Sequence, residues 1–162
     1  MENERFASFT HLICGIYKCI NKIKIDTAPY FGIKGVHIFW IYSLFSHPEG
    51  MTASELAANS MIDRSLVSRE IEKLRRDGYI SCEGGSGKSG NYNSRLILTE
   101  KGIELAEVIS REALTVQNSA DEGISEEELV AFYKTLRKLN DNFMKITKER
   151  ELQHKQKKQS ER

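Results

Sequence analysis

The stretch that decides the fold is Asp-Arg-Ser-Leu-Val-Ser-Arg-Glu-Ile-Glu-Lys-Leu-Arg-Arg-Asp-Gly-Tyr-Ile, residues 63–80. Its apolar residues Val67, Ile71 and Leu74 recur at i, i+4 and i+7, which predicts a helix with one buried face. The leading aspartate can cap this helix, and the glycine after its second aspartate is a typical C-terminal stop. The other face is basic, because residues 64–76 carry five Lys and Arg side chains against two acidic ones.

Two further helices are predicted before this stretch. Thr52-Ala53-Ser54-Glu55 has the capping-box pattern, in which each of the two outer side chains accepts a hydrogen bond from the other residue's backbone, so a short helix is expected to begin there. Residues 34–47 are apolar almost all round, which predicts a central, buried helix. The turn-forming sequence Ser46-His47-Pro48-Glu49-Gly50 ends it.

Two strands joined by a hairpin are predicted after the decisive stretch. Residues 79–82 and 95–98 are short runs of strand-forming residues, and four of the eleven glycines lie between them, which favours a flexible hairpin. Thr99 then opens a helix that runs to about Val116. This order is that of a winged helix-turn-helix, so the expected fold class is mainly α with a small β-hairpin wing (α+β).

Both ends of the chain carry an apolar seam. The first helix ends at Asp26-Thr27-Ala28-Pro29, because proline cannot continue it, and the last helix starts at a second capping box, Ser125-Glu126-Glu127-Glu128. Apolar residues in both helices recur in steps of three and four, a spacing typical of two helices that pack along their length. Dimerisation is therefore predicted through Phe6, Phe9, Ile13, Ile16 and Ile20 at one end and Leu136, Leu139, Phe143 and Ile146 at the other.

These patterns divide the chain into regions. Residues 1–32 and 103–150 are expected to form a helical dimerisation platform, and residues 33–102 the winged helix-turn-helix lobe. Residues 151–162 form a basic polar tail that is expected to be frayed or disordered, since Leu152 is its only strongly apolar residue.

The overall composition excludes several classes of protein. The chain has 24 Lys and Arg against 23 Asp and Glu, so nucleic-acid binding must depend on local charge placement. Its longest apolar run is too short to cross a bilayer, it starts without a secretory signal, and its three cysteines form no CxxC pair. We therefore expect a cytoplasmic protein with no membrane partner. No spacing indicates a catalytic group, so neither an enzyme nor a cofactor is expected.

Four short motifs of this chain occur together in one known family. They are Thr52-Ala53-Ser54-Glu55-Leu56-Ala57, Asp63-Arg64-Ser65-Leu66-Val67-Ser68-Arg69, Leu74 with Asp77-Gly78-Tyr79-Ile80, and Leu98-Thr99-Glu100-Lys101-Gly102. Together they resemble the MarR family of winged-helix transcription regulators. The resemblance implies a homodimer, built by N- and C-terminal dimerisation helices, that binds double-stranded DNA at a pseudo-palindromic operator. It further implies a repressor that responds to a small-molecule effector.

The resemblance also implies roles for individual residues. Base reading is implied for Ser65, Leu66, Ser68 and Arg69, and phosphate contact for Ser54, Arg64 and Lys73. Leu66 stands where the family often has Thr, and leucine can contact a thymine methyl group but donates no hydrogen bond. The family's wing carries an Asp-Arg pair where this chain has Gly90 and Asn91. Lys88 at the wing tip, or Arg95 on the returning strand, is expected to replace that arginine, and Arg95 can equally brace the wing.

A thiol sensor is an alternative function. Cys14 lies one helical turn after His11 and one turn before Lys18, so its thiol could respond to oxidants if it were accessible and its pKa were lowered. A free cysteine is more often a small buried apolar residue. No metal site is predicted, because His11 and Cys14 supply too few ligands.

Two other interpretations remain open from the residues alone. Polar and aromatic side chains of the first two helices could line a ligand cleft, or they could simply fill the core. These residues are Tyr17, Tyr30, His37 and Trp40. A winged helix that binds protein and no DNA is also compatible with the sequence, since Glu70 and Glu72 interrupt the basic helix.

Overall fold

The structure is a computed structural model that describes residues 2–60, 64–83 and 94–160. Its helices are α1 (Glu2–Thr27), α2 (Gly35–Phe45), α3 (Ala53–Ser60), α4 (Arg64–Arg76), α5 (Glu100–Ala120) and α6 (Glu126–Ser160). A 3-10 helix (Ala28–Phe31) follows α1, and two strands, β1 (Ile80–Glu83) and β2 (Arg95–Leu98), lie between α4 and α5. The element order is the one predicted for a winged helix-turn-helix.

The chain divides into two compact units, residues 1–114 and 115–162. In the first unit α2 contacts α1, α3 and β2, and α4 contacts α3 and β1. The core is formed where these elements meet, and its largest fully buried apolar side chains are Trp40, Ile41, Leu56, Leu74 and Val67. Burying one such side chain typically contributes about 1.5–3 kcal/mol, so this cluster accounts for much of the driving force for folding.

Helix α2 is less buried than its composition predicts. Trp40, Ile41 and Leu44 are buried, but Phe39 and Tyr42 are 36% and 46% exposed. The neighbouring elements cover only one side of α2, which leaves its opposite side to solvent in the single chain. The expectation of a helix buried on all sides is therefore met on one side of α2 only.

The wing is a two-stranded antiparallel sheet with a short additional pairing. The register joins Ile80 to Leu98 and Glu83 to Arg95. On the other edge of β2, Met51 forms an isolated bridge with Leu96, with the backbone N–H of each donating to the other's carbonyl at 3.0 and 2.8 Å. The predicted glycine hairpin and the Asp63 cap lie outside the described residues.

The predicted helix signals at the other positions are confirmed by hydrogen bonds. The backbone N–H of Thr52 donates to Oε2 of Glu55 at 2.7 Å, and the N–H of Glu55 donates to Oγ1 of Thr52 at 3.2 Å. Ser125 and Glu128 make the same reciprocal pair at 2.9 and 3.3 Å. Gly78 ends α4 with a φ of +77°, a left-handed conformation in which glycine carries no steric cost.

The tail differs from the expectation of fraying or disorder, because α6 continues as a helix to Ser160. Residues 148–160 contain neither Gly nor Pro and consist largely of Lys, Glu, Gln, Arg and Leu. These residues have high helix propensity, so a helix already started upstream continues through them without apolar packing.

Candidate nucleic-acid interface

Helix α4 has two faces of opposite character. Val67 and Leu74 are fully buried and Ile71 is nearly so, which fixes the rotation of the helix against the core. The opposite face is exposed, and it carries all four residues predicted to read bases, namely Ser65, Leu66, Ser68 and Arg69. Ser68 and Arg69 share one face with Ser65 because they follow it by three and four residues, and Leu66 lies at the edge of that face. The exposed face therefore combines hydroxyl, aliphatic and guanidinium groups, which together suit the edges of base pairs in a major groove.

Two of the residues predicted to contact phosphate have side chains that the structure describes. Ser54 is exposed in the first turn of α3, and Lys73 is partly exposed on α4. Arg64 is the first residue of α4, but its side chain lies outside the described part of the chain, as does Lys88 of the predicted wing tip. Downstream on α4, Glu72 pairs with Arg75 at 3.2 Å, and both side chains are exposed in part.

The capping box of Thr52 and Glu55 encloses Ser54, which lies in the first turn of α3. The hydrogen bond from the backbone of Thr52 holds the pKa of Glu55 below its usual value, and the Thr52 hydroxyl acts in the same direction. Glu55 is therefore a carboxylate at neutral pH and accepts the backbone N–H of Thr52, the residue that precedes α3. The rigid start of α3 in turn fixes the position of Ser54.

Arg95 braces the base of the wing. Its guanidinium donates to the backbone carbonyl of Gly50 at 2.6 Å, across the turn between α2 and α3. Gly50 has a φ of +80°, and a side chain there would come within 2.8 Å of Ile97 and of the carbonyl of Leu96. The contact thus depends on a glycine that lets the turn approach β2 closely. Of the two roles that the sequence allowed for Arg95, this geometry matches the structural one.

A cluster of three charged or titratable side chains joins α4 to the start of α2. Nζ of Lys34 lies 2.6 Å from Oε1 of Glu70, and Nε2 of His37 lies 2.9 Å from Oε2 of the same carboxylate. Lys34 precedes α2, and its backbone N–H donates to Nδ1 of His37 at 3.3 Å. The cluster joins residues 36 and 33 positions apart along the chain.

The pKa values of this cluster follow from burial and hydrogen bonding. Burial of the imidazole lowers the pKa of His37, and the hydrogen bond with Glu70 only partly opposes this effect. The hydrogen bond from Lys34 lowers the pKa of Glu70, and the one from His37 acts in the same direction. At neutral pH the pair is therefore a neutral imidazole and a carboxylate.

The four residues predicted to line a ligand cleft differ in exposure. His37 and Trp40 are buried, as the alternative of core packing predicts, whereas Tyr30 is 87% exposed. Tyr17 does line a groove of about 470 Å³ between α1, α2 and the end of α3, together with Asn21, Lys24, Phe39, Asn59 and Ser60.

The apolar seams of both terminal helices lie on the surface of the chain. On α1, Phe6, Ile13, Ile16 and Ile20 are exposed, and Phe9 is half-buried. On α6, Phe143 and Ile146 are exposed, and Leu136 and Leu139 are half-buried. Contiguous exposed apolar residues of this size on a helix are typical of an interaction surface.

Cys14 is exposed on α1, so an oxidant would have access to its thiol. Within residues 2–60, 64–83 and 94–160, no cluster of three or more His, Cys, Asp or Glu side chains could hold a metal ion. In the same ranges no helix is long and apolar enough to span a bilayer.

Neither protein-family models nor curated proteins match this sequence. Solved structures do. A protein described as a MarR-family regulator from Listeria monocytogenes, complexed with 26mer DNA, is 24% identical with a TM-score of 0.73, over 82% of this chain and 87% of that one. A SlyA-like transcription regulator from Listeria monocytogenes is 26% identical with a TM-score of 0.68, over 82% of this chain and 87% of that one.

A complex with DNA is also found among solved structures of lower sequence identity. MepR from S. aureus, in its DNA complex, is 19% identical with a TM-score of 0.68, over 83% of this chain and 96% of that one. TM-scores of 0.68 to 0.73 over more than four fifths of this chain show that it shares the fold of these structures. The chain therefore has the winged helix-turn-helix fold of the MarR family of transcription regulators, the family that its sequence motifs resemble.

Proposed function

We propose that this chain is a homodimeric, sequence-specific DNA-binding transcription regulator. The observation that carries the proposal is the exposed face of α4, where Ser65, Ser68 and Arg69 lie opposite the buried Val67 and Leu74. This is the arrangement by which a recognition helix presents hydrogen-bonding side chains to the major groove while its apolar side holds it on the lobe. The DNA complexes among the similar structures support the same function.

The second copy in this proposal covers the seams of α1 and α6. Ile16 and Phe143 are about half exposed in the single chain, and both lie within a repeat suited to helix pairing. A dimer places two recognition helices on one duplex, and adjacent major-groove faces lie about 34 Å apart, which predicts a pseudo-palindromic operator.

The local charge distribution fits this proposal better than the net charge of +1 suggests. The basic side chains of residues 64–76 outnumber the acidic ones, whereas residues 121–128 contain five acids and no Lys or Arg. Non-specific attraction to DNA is then weak, and a dimer recovers affinity because its second contact is intramolecular.

Release by a small-molecule effector is the finer part of the proposal. The groove that Tyr17 lines offers one ammonium group, two amides and two hydroxyls together with the ring of Phe39, a lining that suits a small organic anion with an apolar body. Such an effector releases DNA only if it binds the DNA-free conformation more tightly than the DNA-bound one. We accordingly propose a ligand-responsive repressor.

The experiment that tests the function is selection of bound sequences from random duplex DNA, followed by fluorescence anisotropy over a range of salt concentrations. We expect an enriched pseudo-palindrome whose affinity falls as salt rises. The alternative is a protein-interaction module, and absence of duplex binding at low salt would favour it. Titrating small aromatic carboxylates against the operator complex, with Lys24→Ala as the comparison, tests the effector site.

A further inference from the structure

Glu70 lies on the proposed recognition helix but is turned towards the protein. Its side chain is 13% exposed, whereas that of Glu72 on the same helix is 58% exposed. Each of its carboxylate oxygens has its own donor from the start of α2, the ammonium of Lys34 at 2.6 Å and the imidazole of His37 at 2.9 Å. Glu70 is therefore held at two points by another element.

The hydrogen-bond pattern requires a carboxylate at this position. Nδ1 of His37 accepts from the backbone N–H of Lys34, so Nε2 carries the ring hydrogen and donates to Glu70. The ammonium of Lys34 is also a donor only. A neutral amide has one acceptor oxygen, so it would leave one of the two donors facing an NH₂ group. The buried imidazole, 1% exposed, cannot turn to solvent to avoid this.

The contact controls the rotation of α4 about its own axis. Successive helix residues project about 100° apart, so fixing the direction of Glu70 also fixes that of Arg69 beside it. The apolar face of α4 fixes this rotation only within the tolerance of side-chain packing. A carboxylate held by two directed hydrogen bonds sets it more narrowly, because hydrogen bonds weaken steeply with angle.

We propose that Glu70, held by Lys34 and His37, is a positioning residue for sequence reading. It orients α4 so that Ser65, Ser68 and Arg69 meet base edges together. This inference rests on the proposed function, since it concerns how well the helix reads DNA once it binds. It assigns no DNA contact to Glu70 itself.

The test is a charge-matched pair of variants, Glu70→Gln and Glu72→Gln. Both remove one negative charge from α4, so both should bind random duplex somewhat more tightly than the wild type. Only Glu70→Gln breaks the link to α2. We expect its ratio of operator to random-duplex affinity to fall about tenfold, the size of one disturbed base contact, while Glu72→Gln keeps the wild-type ratio.

A second pair guards against loss of folding in Glu70→Gln. Lys34 is half exposed, so Lys34→Met removes one donor with little disturbance of the core, and Lys34→Arg retains a donor. We expect Lys34→Met to lower the affinity ratio and Lys34→Arg to preserve it. If the contact only stabilised the fold, its removal would lower the unfolding temperature without changing the ratio of operator to random-duplex affinity.

The outcomes separate this inference from the proposed function. If the wild-type chain binds no duplex at low salt, the proposed function fails. If it binds, and both Glu70→Gln and Lys34→Met fold and keep the wild-type ratio of affinities, the function stands and the positioning role of Glu70 is overturned.

Discussion

Gly102, in the first turn of α5, packs directly against the backbone carbonyl of Tyr79, which precedes β1. A Cβ atom at Gly102 would overlap the oxygen of that carbonyl and lie 3.2 Å from Cδ2 of Leu98. The carbonyl is held in place because it accepts a hydrogen bond from the N–H of Thr99 at 3.0 Å. The hydroxyl of Thr99 in turn accepts from the N–H of Gly102 at 3.1 Å, which joins the end of the wing to the start of α5.

We expect Gly102→Ala to lower the free energy of unfolding by about 1–3 kcal/mol, as overpacking of a tight contact usually does. Thermal and urea unfolding followed by circular dichroism would measure the change. Gly15→Ala is the matched control, because nothing lies within 4 Å of its added Cβ and alanine favours a helix. Equal stability of Gly102→Ala and wild type would contradict the close approach.

The stability of the chain should fall as the pH drops below about 6.5, the ordinary pKa of histidine. Burial lowers the folded-state pKa of His37, so between that value and the unfolded one the unfolded chain binds the extra proton. The stabilisation that comes from a neutral His37 is complete above the pKa of this residue in the unfolded chain. It is lost as the pH falls towards the pKa in the folded chain, and the free energy of unfolding then changes by up to about 1.4 kcal/mol per pH unit. The charged groups facing this imidazole are Glu70, Lys34 and Lys73.

Urea unfolding between pH 8 and 5 checks this expectation. The lowered pKa of Glu70 contributes in a separate window, since its share of stability is present above its unfolded pKa and is lost only at more acidic pH. His37→Gln keeps a donor for Glu70 but does not titrate, so its stability should depend less on pH over this range. An unchanged slope in that variant would assign the effect to other groups.

Arg69→Ala should weaken operator binding by about 1–3 kcal/mol and relax base preference at one position of each half-site. The guanidinium is exposed on the proposed groove-facing side of α4, where it can bond to a guanine edge. Lys73→Ala is the comparison for a phosphate contact, and it should weaken operator and random duplex alike. An equal loss on both duplexes in Arg69→Ala would argue against base reading.

Ile16→Glu and Phe143→Glu should each convert the proposed dimer into monomers with weak DNA binding. A charge in the middle of an apolar seam must be desolvated when the second copy packs over it, and this cost opposes association. Sedimentation velocity would report the oligomeric state. Leu152→Glu is a matched control on α6, because Leu152 is 59% exposed but lies beyond the predicted seam. Dimers that persist in both seam variants would show that other surfaces associate.

Elements set by neighbouring residues were predictable from the sequence. The capping boxes at Thr52 and Ser125, the stop at Gly78 and the bounds of β2 all depend on interactions within a few residues, and the structure has each where the pattern placed it. The division of α4 into a buried and an exposed face was equally accessible, because helical periodicity directly encodes it.

The contacts that hold α4 in place were not predictable in this way. In the sequence, His37 is one more residue of an apolar helix, and Glu70 is one more charge on a basic surface. No short-range pattern relates these two residues, because they are 33 positions apart. The one available signal was a histidine at the third position of a helix whose N-cap is a lysine. The ring of such a histidine can accept a hydrogen bond from the backbone N–H of the N-cap residue, as His37 does from Lys34. The pairing of Met51 with Leu96 was missed for the same reason, since one residue is too short to register as a strand.

The fastening of β2 to the turn before α3 has a mechanical consequence. Met51 shares two backbone hydrogen bonds with Leu96, and the guanidinium of the neighbouring Arg95 donates to the carbonyl of Gly50. Strand β2 is therefore attached to the segment that directly precedes α3, the first helix of the helix-turn-helix. These hydrogen bonds tie the base of the wing to the start of α3. We therefore expect the two parts of the lobe that we propose to meet DNA to move together when that segment tilts.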